Sequence, residues 1–210
     1  MKKYILPIII ILASIILSIY FYPILPDSMA SHWNASGVVD GYSTKLTNVL
    51  MFPLIGVGLL GFFILVPNID PKKKNIKLFE KKFNLFISAM LIFMLLLQLQ
   101  VFLWNTGTQI PMAFIMPILM GALFIVMAEL IKNAKQNYTI GIRTPWTLNS
   151  ENVWNKTHIL GAKLFRISGI LSILSAFITE YSFIIVIGSV LISTVIVFVY
   201  SYLEHKKEIT

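Results

Sequence analysis

The chain has 210 residues, of which 57% are hydrophobic and 12% charged, and its formal net charge is +8. Soluble globular domains are about 45 to 50% apolar and about 25% charged, so this chain has too few charged side chains to cover a water-exposed surface. These values exclude a water-soluble globular domain and indicate an integral membrane protein.

The charged residues are grouped along the chain and leave four long charge-free intervals. These intervals cover residues 4–26, 46–69, 83–128 and 181–203. A helix needs about 20 apolar residues to cross the hydrocarbon core, so the third interval accommodates two spans and each of the others accommodates one. A sixth span is expected over residues 159–179, where Lys163 and Arg166 lie near one end and can extend to the membrane surface.

The apolar intervals show no alternation with a period of two, and open sheet edges cannot lie in lipid, so the spans are predicted to be helices. We assign them to residues 5–22, 47–66, 85–104, 112–131, 159–179 and 183–203. The predicted fold class is all-α, a polytopic membrane protein with six transmembrane helices. The first span is expected to remain uncleaved, because its apolar stretch exceeds the roughly 7 to 15 residues of a signal peptide.

The Lys and Arg residues predict the orientation of the spans. Of the seventeen, only Lys45 falls in a segment on the outer side, and the others lie at the ends or in loops on the opposite side. Short basic loops stay in the cytoplasm, which places both termini there. The inner face then has a net charge of about +10 and the outer face about −2. A basic inner face attracts anionic lipid headgroups, and its scattered cations give no reason to expect direct nucleic acid binding.

Three units of two spans follow from this layout. Residues 1–66 form an N-terminal two-span unit with an outer loop at 26–46. Residues 67–131 form a central two-span hairpin with a basic inner loop, and residues 132–210 form an inner loop followed by the C-terminal two-span unit.

Residues that carry catalytic or metal chemistry are sparse. The chain has no cysteine and therefore no disulfide, thiolate nucleophile or cysteine-bound metal. It also lacks a Gly-rich phosphate loop, a paired-His helix motif and a nucleophile elbow. No catalytic residue, metal site or cofactor is therefore predicted. In the outer loop, His32, Asp27 and Asp40 are either a cluster that binds a metal or proton, or ordinary surface residues, which is the favoured interpretation.

Few polar residues lie within the predicted spans. Glu129 is the one carboxylate there, and an interfacial ion pair with Lys132 is favoured over a role in proton relay. Gln98 and Gln100 are predicted to form hydrogen bonds between helices. This sparse polarity counts against a transporter, which needs a polar path.

The inner loop at residues 138–158 has a more specific composition than a connection requires. Pro145 forces Thr144 towards an extended conformation, and Asn149 or Ser150 is expected to cap a following helix. Its Arg, Trp and His side chains suit either an aromatic and basic belt at the membrane surface or a docking surface, in which Arg143 binds a carboxylate or phosphate beside rigid aromatic rings. Composition alone leaves both interpretations open.

Two loop patterns resemble those of the SdpI family of bacterial membrane proteins. The outer pattern consists of Leu25-Pro26, His32-Trp33-Asn34, Gly37, Asp40-Gly41 and Lys45. The inner pattern, which is the more specific, consists of Gly141, Arg143-Thr144-Pro145-Trp146-Thr147-Leu148, Trp154 and Thr157-His158. The resemblance covers the whole six-span layout, and the outer pattern is also similar to that of a widespread membrane domain of unknown function.

This resemblance implies an immunity protein that protects a producer cell from a secreted, membrane-active toxin. It also implies a receptor that holds a cytoplasmic transcriptional repressor at the membrane. The expected partners are therefore the lipid bilayer, a secreted peptide or protein toxin outside and a repressor inside. Many relatives have no assigned role, so a small-solute or ion transporter, or a membrane protein of unassigned role with the family fold, remains an alternative.

The two patterns supply the candidate site residues. The inner motif is expected to bind the cytoplasmic partner through Gly141, Arg143, Thr144, Pro145, Trp146, Trp154 and His158. The outer loop is expected to sense the toxin through Pro26, His32, Trp33, Asn34, Gly37, Asp40 and Lys45.

Overall fold

A computed structural model describes residues 2–209 of the chain as a helical bundle with one β-hairpin. Six helices are long: α1 (Ile5–Phe21), α2 (Lys45–Ile69), α4 (Glu80–Asn105), α5 (Met112–Asn133), α7 (Glu151–Ser175) and α8 (Ser182–Ile209). The short elements are a 3-10 turn (Lys2–Tyr4), the helices α3 (Lys73–Leu78) and α6 (Pro145–Asn149), and the strands β1 (Ser28–Trp33) and β2 (Val39–Thr44).

The six long helices correspond to the six predicted spans, and the predicted all-α polytopic fold is confirmed. Five of them are long and apolar enough to cross a membrane. Helix α1 is apolar but has only 17 residues, a rise of about 26 Å against a hydrocarbon core of about 30 Å. Apolar residues beyond its C-terminus, including Ile24, lengthen the hydrophobic segment. The chain is thus a multi-pass membrane protein.

Helix α7 begins at Glu151 rather than at residue 159, because the helix that Ser150 caps continues without a break into the span. The Ser150 side chain accepts a hydrogen bond from the Val153 N–H at 3.2 Å, which confirms one of the two expected caps. Glu151 lies in the first turn, where a negative charge is favourable next to the helix N-terminus.

Residues 26–46, expected to be an outer loop, contain the antiparallel strands β1 and β2. Ser28 pairs with Thr44 at the open end, and the register is irregular between Ala30 and Trp33. Asn34 closes the turn, since its backbone N–H donates to the Val38 carbonyl at 2.9 Å and its side-chain oxygen accepts from the Val38 N–H at 3.0 Å. Gly37 completes the turn with a φ of +76°, a conformation that favours glycine.

The connections meet at two opposite ends of the bundle. At one end, the Asn105 side chain accepts a hydrogen bond from the Ala30 N–H at 2.8 Å and donates one to the Ala30 carbonyl at 3.0 Å. At the other end, the Asp70 carboxylate accepts bonds from the backbone of Tyr138 and the hydroxyl of Thr139. Loops that the sequence places on one side of the membrane therefore lie together. The cytoplasmic location of the termini and the division into three two-span units stay predictions.

Helices α5 and α7 pack most closely, and two glycines make this approach possible. A Cβ atom added at Gly121 would lie 2.5 Å from the Gly169 carbonyl oxygen, and one added at Gly169 would lie 2.7 Å from the Gly121 carbonyl oxygen. Small residues at a crossing let helix backbones approach within a membrane. The two glycines therefore allow α5 and α7 to pack with their backbones in close contact.

Candidate functional site

The inner motif folds into a compact hook, residues 141–149, that lies against α7. Gly141 has a φ of +120°, and a Cβ atom there would lie 2.5 Å from the His158 Nε2 atom and 3.1 Å from the Trp154 ring. The Ile142 N–H donates to His158 Nε2 at 3.0 Å. His158 Nδ1 lies 2.8 Å from the Trp154 carbonyl oxygen, to which it donates. Both ring nitrogens are therefore used, and this arrangement requires the neutral imidazole.

Trp154 and His158 are internal residues of this hook, and neither is accessible to a partner. Their exposed fractions are 0% and 1%, and their rings stack with centroids 4.0 Å apart. The Trp154 Nε1–H donates to the Ala134 carbonyl at 2.8 Å. The interpretation of these two residues as part of a surface belt or a docking surface is therefore wrong. The chain folds back over their helix, which residue type and spacing alone do not indicate.

Thr144 connects the hook to α8. Its backbone is extended, with φ −98° and ψ 162°, as expected for a residue before proline. Its hydroxyl caps α6 by accepting from the Thr147 N–H and lies 3.1 Å from the Ser201 hydroxyl. The Thr147 hydroxyl in turn donates to the Ile142 carbonyl at 2.8 Å. Thr144 is buried, and Thr147 is a positioning residue that belongs to the inner pattern but is not among the predicted site residues.

Arg143 and Trp146 form the accessible part of the inner motif, together with the exposed Gly141 and Pro145. Arg143 is exposed, and one of its guanidinium N–H groups donates to the Tyr138 carbonyl at 2.7 Å. Trp146 is half-buried against Phe198 and Tyr202 of α8, with ring centroids 5.1 and 5.2 Å away. A planar cationic group and a supported indole ring are thus available on the inner face.

Asp70 and Gln136 connect the basic inner loop to the hook. The Asp70 carboxylate is 2% exposed and accepts from the Lys72 N–H at 2.6 Å, the Tyr138 N–H at 3.0 Å and the Thr139 hydroxyl at 2.8 Å. Gln136 donates to the carbonyl of Thr147 at 2.9 Å. The bonds from Asp70 to Tyr138 and Thr139 join residues that are 68 and 69 positions apart, so no local sequence pattern predicts them.

The outer hairpin pairs His32 with Asp40, but it does not assemble the three-residue cluster considered from the sequence. His32 Nδ1 lies 2.5 Å from the Asp40 carboxylate on the exposed face of the hairpin. Asp27 instead pairs with Lys45, at 3.4 Å. Within residues 2–209, no three His, Cys, Asp or Glu side chains form a group that could hold a metal ion. The cluster interpretation is wrong because the strand register separates Asp27 from His32.

The hairpin turn, residues 34–37, lies against the outer ends of α4 and α5. The Trp33 and Trp104 rings meet edge to face with centroids 5.5 Å apart. A Cβ atom at Gly37 would lie 3.1 Å from the Ala113 Cβ, so the turn and α5 are in close contact. Pro26 is exposed just before β1, and Lys45 at the start of α2 lies over the Tyr22 ring. The predicted outer residues therefore occupy one hairpin, with Pro26 and Lys45 at its open end.

The polar side chains singled out within the spans have hydrogen-bond or ion-pair partners inside the protein. Gln98 is buried, accepts from the Ser14 hydroxyl at 2.5 Å and donates to the Ser18 hydroxyl at 2.8 Å, as predicted for a bond between helices. Gln100 instead donates to the Ile110 carbonyl in the following turn. Glu129 pairs with Lys82 at 2.9 Å and Arg166 at 3.4 Å, so the ion-pair interpretation holds although Lys132 is not its hydrogen-bonding partner.

Comparison with known proteins connects both ends of the bundle to described families. A model of the SdpI/YfhL protein family matches residues 133–201, which include the hook. A model of a domain of unknown function, DUF1648, matches residues 9–57, which include the hairpin. The chain is 32% identical over 210 residues to a Bacillus subtilis protein named Immunity protein SdpI, a match that covers 99% of this chain and 98% of the relative. No solved structure matches the chain.

Proposed function

The chain belongs to the SdpI/YfhL family, and we propose that it is an immunity protein that protects a bacterial cell from a secreted, membrane-active toxin. The observation that carries this proposal is the full-length similarity to a relative named as an immunity protein. The role is protective and not enzymatic. The outer pattern forms the hairpin and the inner pattern forms the hook, at opposite ends of the bundle. This arrangement supports a function that uses the whole chain.

The polar groups within the spans favour immunity over transport. Gln98 bonds to two serines of α1, and Glu129 forms ion pairs with cations of α4 and α7. A buried polar group that is already satisfied stabilises helix packing and offers little to a passing solute. No observation specifically favours the transporter.

We assign the outer hairpin to toxin sensing and the inner hook to engagement of a cytoplasmic partner such as a transcriptional repressor. Arg143 and Trp146 are the residues expected to contact this partner directly, whereas Gly141, Thr144, Trp154 and His158 hold the hook in place. Pro145 starts α6 and presents Trp146.

Helix α5 connects the two ends. Near its start, Ala113 contacts the hairpin turn, and directly after its end the Ala134 carbonyl accepts the Trp154 indole N–H. A toxin changes partner binding only if it favours one of two arrangements of the helices. A shift of α5 relative to α7 would carry a change in helix arrangement from the hairpin to the hook.

Survival of a toxin-sensitive host tests the proposal. Cells that express this chain are challenged with the secreted, membrane-active toxin of the producer cell, beside cells that express an unrelated multi-pass protein at the same level. We expect growth only with this chain. Equal killing of both strains at confirmed membrane levels would contradict immunity. Substituting His32→Ala or Asp40→Ala should impair the response to toxin without lowering the amount of protein.

A further inference from the structure

An apolar groove of about 270 Å³ lies at the outer end of the bundle, between the hairpin turn and the first turns of α5 and α8. Trp33, Asn34 and Gly37 of the outer pattern contribute to its wall, and Phe183 and Val186 of α8 lie opposite. A volume of this size is near the lower end of the range for small-ligand sites and suits a few side chains.

Methionines of α5 form much of the groove. Met112, Met116 and Met120 recur every four residues and therefore lie along one side of the helix, and all three line the groove. Met side chains are flexible and polarisable, so a surface rich in them adapts to apolar partners of different shapes. This composition favours an occupant with varied apolar side chains.

One residue in the wall of the groove has an unused hydrogen-bond donor. The Trp33 ring lines the groove, and its buried Nε1–H has no hydrogen-bond partner among the described residues. A peptide that occupies the groove supplies backbone carbonyls that can accept from this indole.

The charges around the groove favour a cationic occupant. No lining residue is charged, so nothing in the wall neutralises a lipid phosphate. Glu180 is exposed two residues before the lining residue Ser182, and its side chain forms no ion pair or hydrogen bond within the described part of the chain. An exposed carboxylate beside an apolar site attracts a basic residue next to an apolar one.

We propose that this groove binds apolar side chains of a cationic, membrane-active peptide and is the site at which the toxin docks. The inference rests on the proposed immunity function and names its binding site. A backbone carbonyl of the toxin accepts from the Trp33 indole, its apolar side chains contact the three methionines, and a basic residue lies at Glu180.

Single cysteines report occupancy, because the chain itself has none. Ala35→Cys places an environment-sensitive fluorophore at the exposed rim of the groove, and Leu50→Cys places it in a second apolar groove between α1 and α2 as a control. The labelled full-length protein in phosphatidylcholine nanodiscs is titrated with a synthetic amphipathic Leu/Lys peptide and with a Leu/Glu peptide of the same pattern. We expect a saturable change at position 35 with the Leu/Lys peptide and none at position 50.

Two substitutions examine the polar contacts. Trp33→Phe removes the N–H and keeps a ring, and Glu180→Gln removes the charge, so each should weaken the apparent affinity about fivefold. A response to the Leu/Glu peptide equal to that with Leu/Lys, or the same response at both labels, overturns the proposal. A change at position 35 on adding phosphatidylglycerol alone identifies lipid as the occupant and also overturns it.

Survival separates this inference from the proposed function. Met116→Trp narrows the groove, and Met116→Leu is its control of similar volume. We expect the Trp variant, at normal membrane levels, to lose both peptide binding and protection, while the Leu variant keeps both. If the Trp variant no longer binds the peptide but still protects the cell, the groove is not the toxin site, and the proposed immunity function is unaffected. A wild-type chain that binds the peptide but gives no protection contradicts immunity instead.

Discussion

At the scale of single residues, His158 holds the inner hook against α7. The Ile142 N–H donates to one ring nitrogen and the other donates to the Trp154 carbonyl, within a stack on the Trp154 ring. Loss of the Nε2 acceptor leaves a backbone N–H unsatisfied, at a cost of about 1 to 3 kcal/mol.

We therefore expect His158→Phe to loosen the hook and leave the spans folded. Amide hydrogen exchange of residues 141–149 should accelerate by roughly tenfold or more, in line with that cost. His205→Phe is a matched control, because His205 lies on α8 and makes no hydrogen bond to the hook through Nδ1. Exchange in the hook that stays at the wild-type rate in His158→Phe would disprove the positioning role.

Arg143 is expected to act on the partner and not on the fold. Arg143→Ala removes a planar donor at the exposed inner face, and an interface contact of this type contributes about 2 kcal/mol, or nearly thirtyfold in affinity. Recruitment of the cytoplasmic partner, measured as its co-localisation with the membrane under toxin challenge, should fall by that factor while survival stays largely intact. Arg143→Lys, which keeps the charge without the planar donors, should recover only part of it.

Separate roles for the outer hairpin and the inner hook require that loss of partner recruitment leave survival unaffected. Trp146→Ala should behave like Arg143→Ala, because it removes the aromatic part of the same surface. If either variant abolishes recruitment and protection together at normal protein levels, the inner and outer ends do not have separate roles.

Local residue preferences could be predicted from the sequence, whereas burial within the hook could not. The extended Thr144 and the Ser150 cap depend on their immediate neighbours, and both appear as expected. The burial of Trp154 and His158 depends on Gly141, which brings the chain back over α7. Trp and His occur on membrane surfaces and in interiors alike, so their type does not distinguish the two locations.

At the scale of the elements, the crossing of α5 and α7 sets the packing of the second half of the bundle. The two glycines leave no room for a Cβ atom, and the atoms they would meet include backbone carbonyls, which cannot turn aside. Gly121→Val should therefore force the helices apart and destabilise the protein by roughly 1 to 3 kcal/mol or more.

Thermal denaturation in detergent, followed by the loss of the monodisperse fraction, measures this effect. Gly58→Val on α2 is the matched control, because nothing lies within 4 Å of a Cβ atom at that position. We expect a clear fall in melting temperature for Gly121→Val and a small change for the control. Equal melting temperatures would show that the crossing is less tight than the contacts indicate.

The helices could be predicted from the sequence because grouped charges mark their ends directly, but the hairpin could not. Strands β1 and β2 have six residues each and do not alternate between apolar and polar positions. Their pairing is supported by the Asn105 side chain of α4, a partner far away in the sequence. The groove depends on the same packing, because it exists only where the hairpin turn meets α5 and α8.

At the scale of the whole molecule, the opposed ends of the bundle agree with the distribution of Lys and Arg. The outer end has Lys45 as its one basic residue in the sequence assignment, and the other sixteen lie towards the inner end. Reporter fusions after Lys45, Lys74, Thr108, Trp146 and Tyr181 should read outside, inside, outside, inside and outside, with the C-terminus inside.

The fusion after Lys45 is the strictest test of the topology, because it requires α1, the shortest of the six long helices, to cross the membrane. An inside signal there would mean that α1 does not cross the membrane, and an outside signal after Lys74 or Trp146 would reverse the predicted orientation. A C-terminal fusion serves as the control for expression and insertion.

An immunity protein preserves the membrane of a cell exposed to a permeabilising toxin, and the membrane potential during challenge tests this role most directly. A potential-sensitive dye is followed in sensitive cells that express this chain, or an unrelated multi-pass protein at a matched level, after addition of the producer cell's secreted toxin. Immunity predicts that the potential is maintained with this chain and collapses in the control. Collapse at the same rate and toxin concentration in both strains, with the protein confirmed in the membrane, would contradict the account.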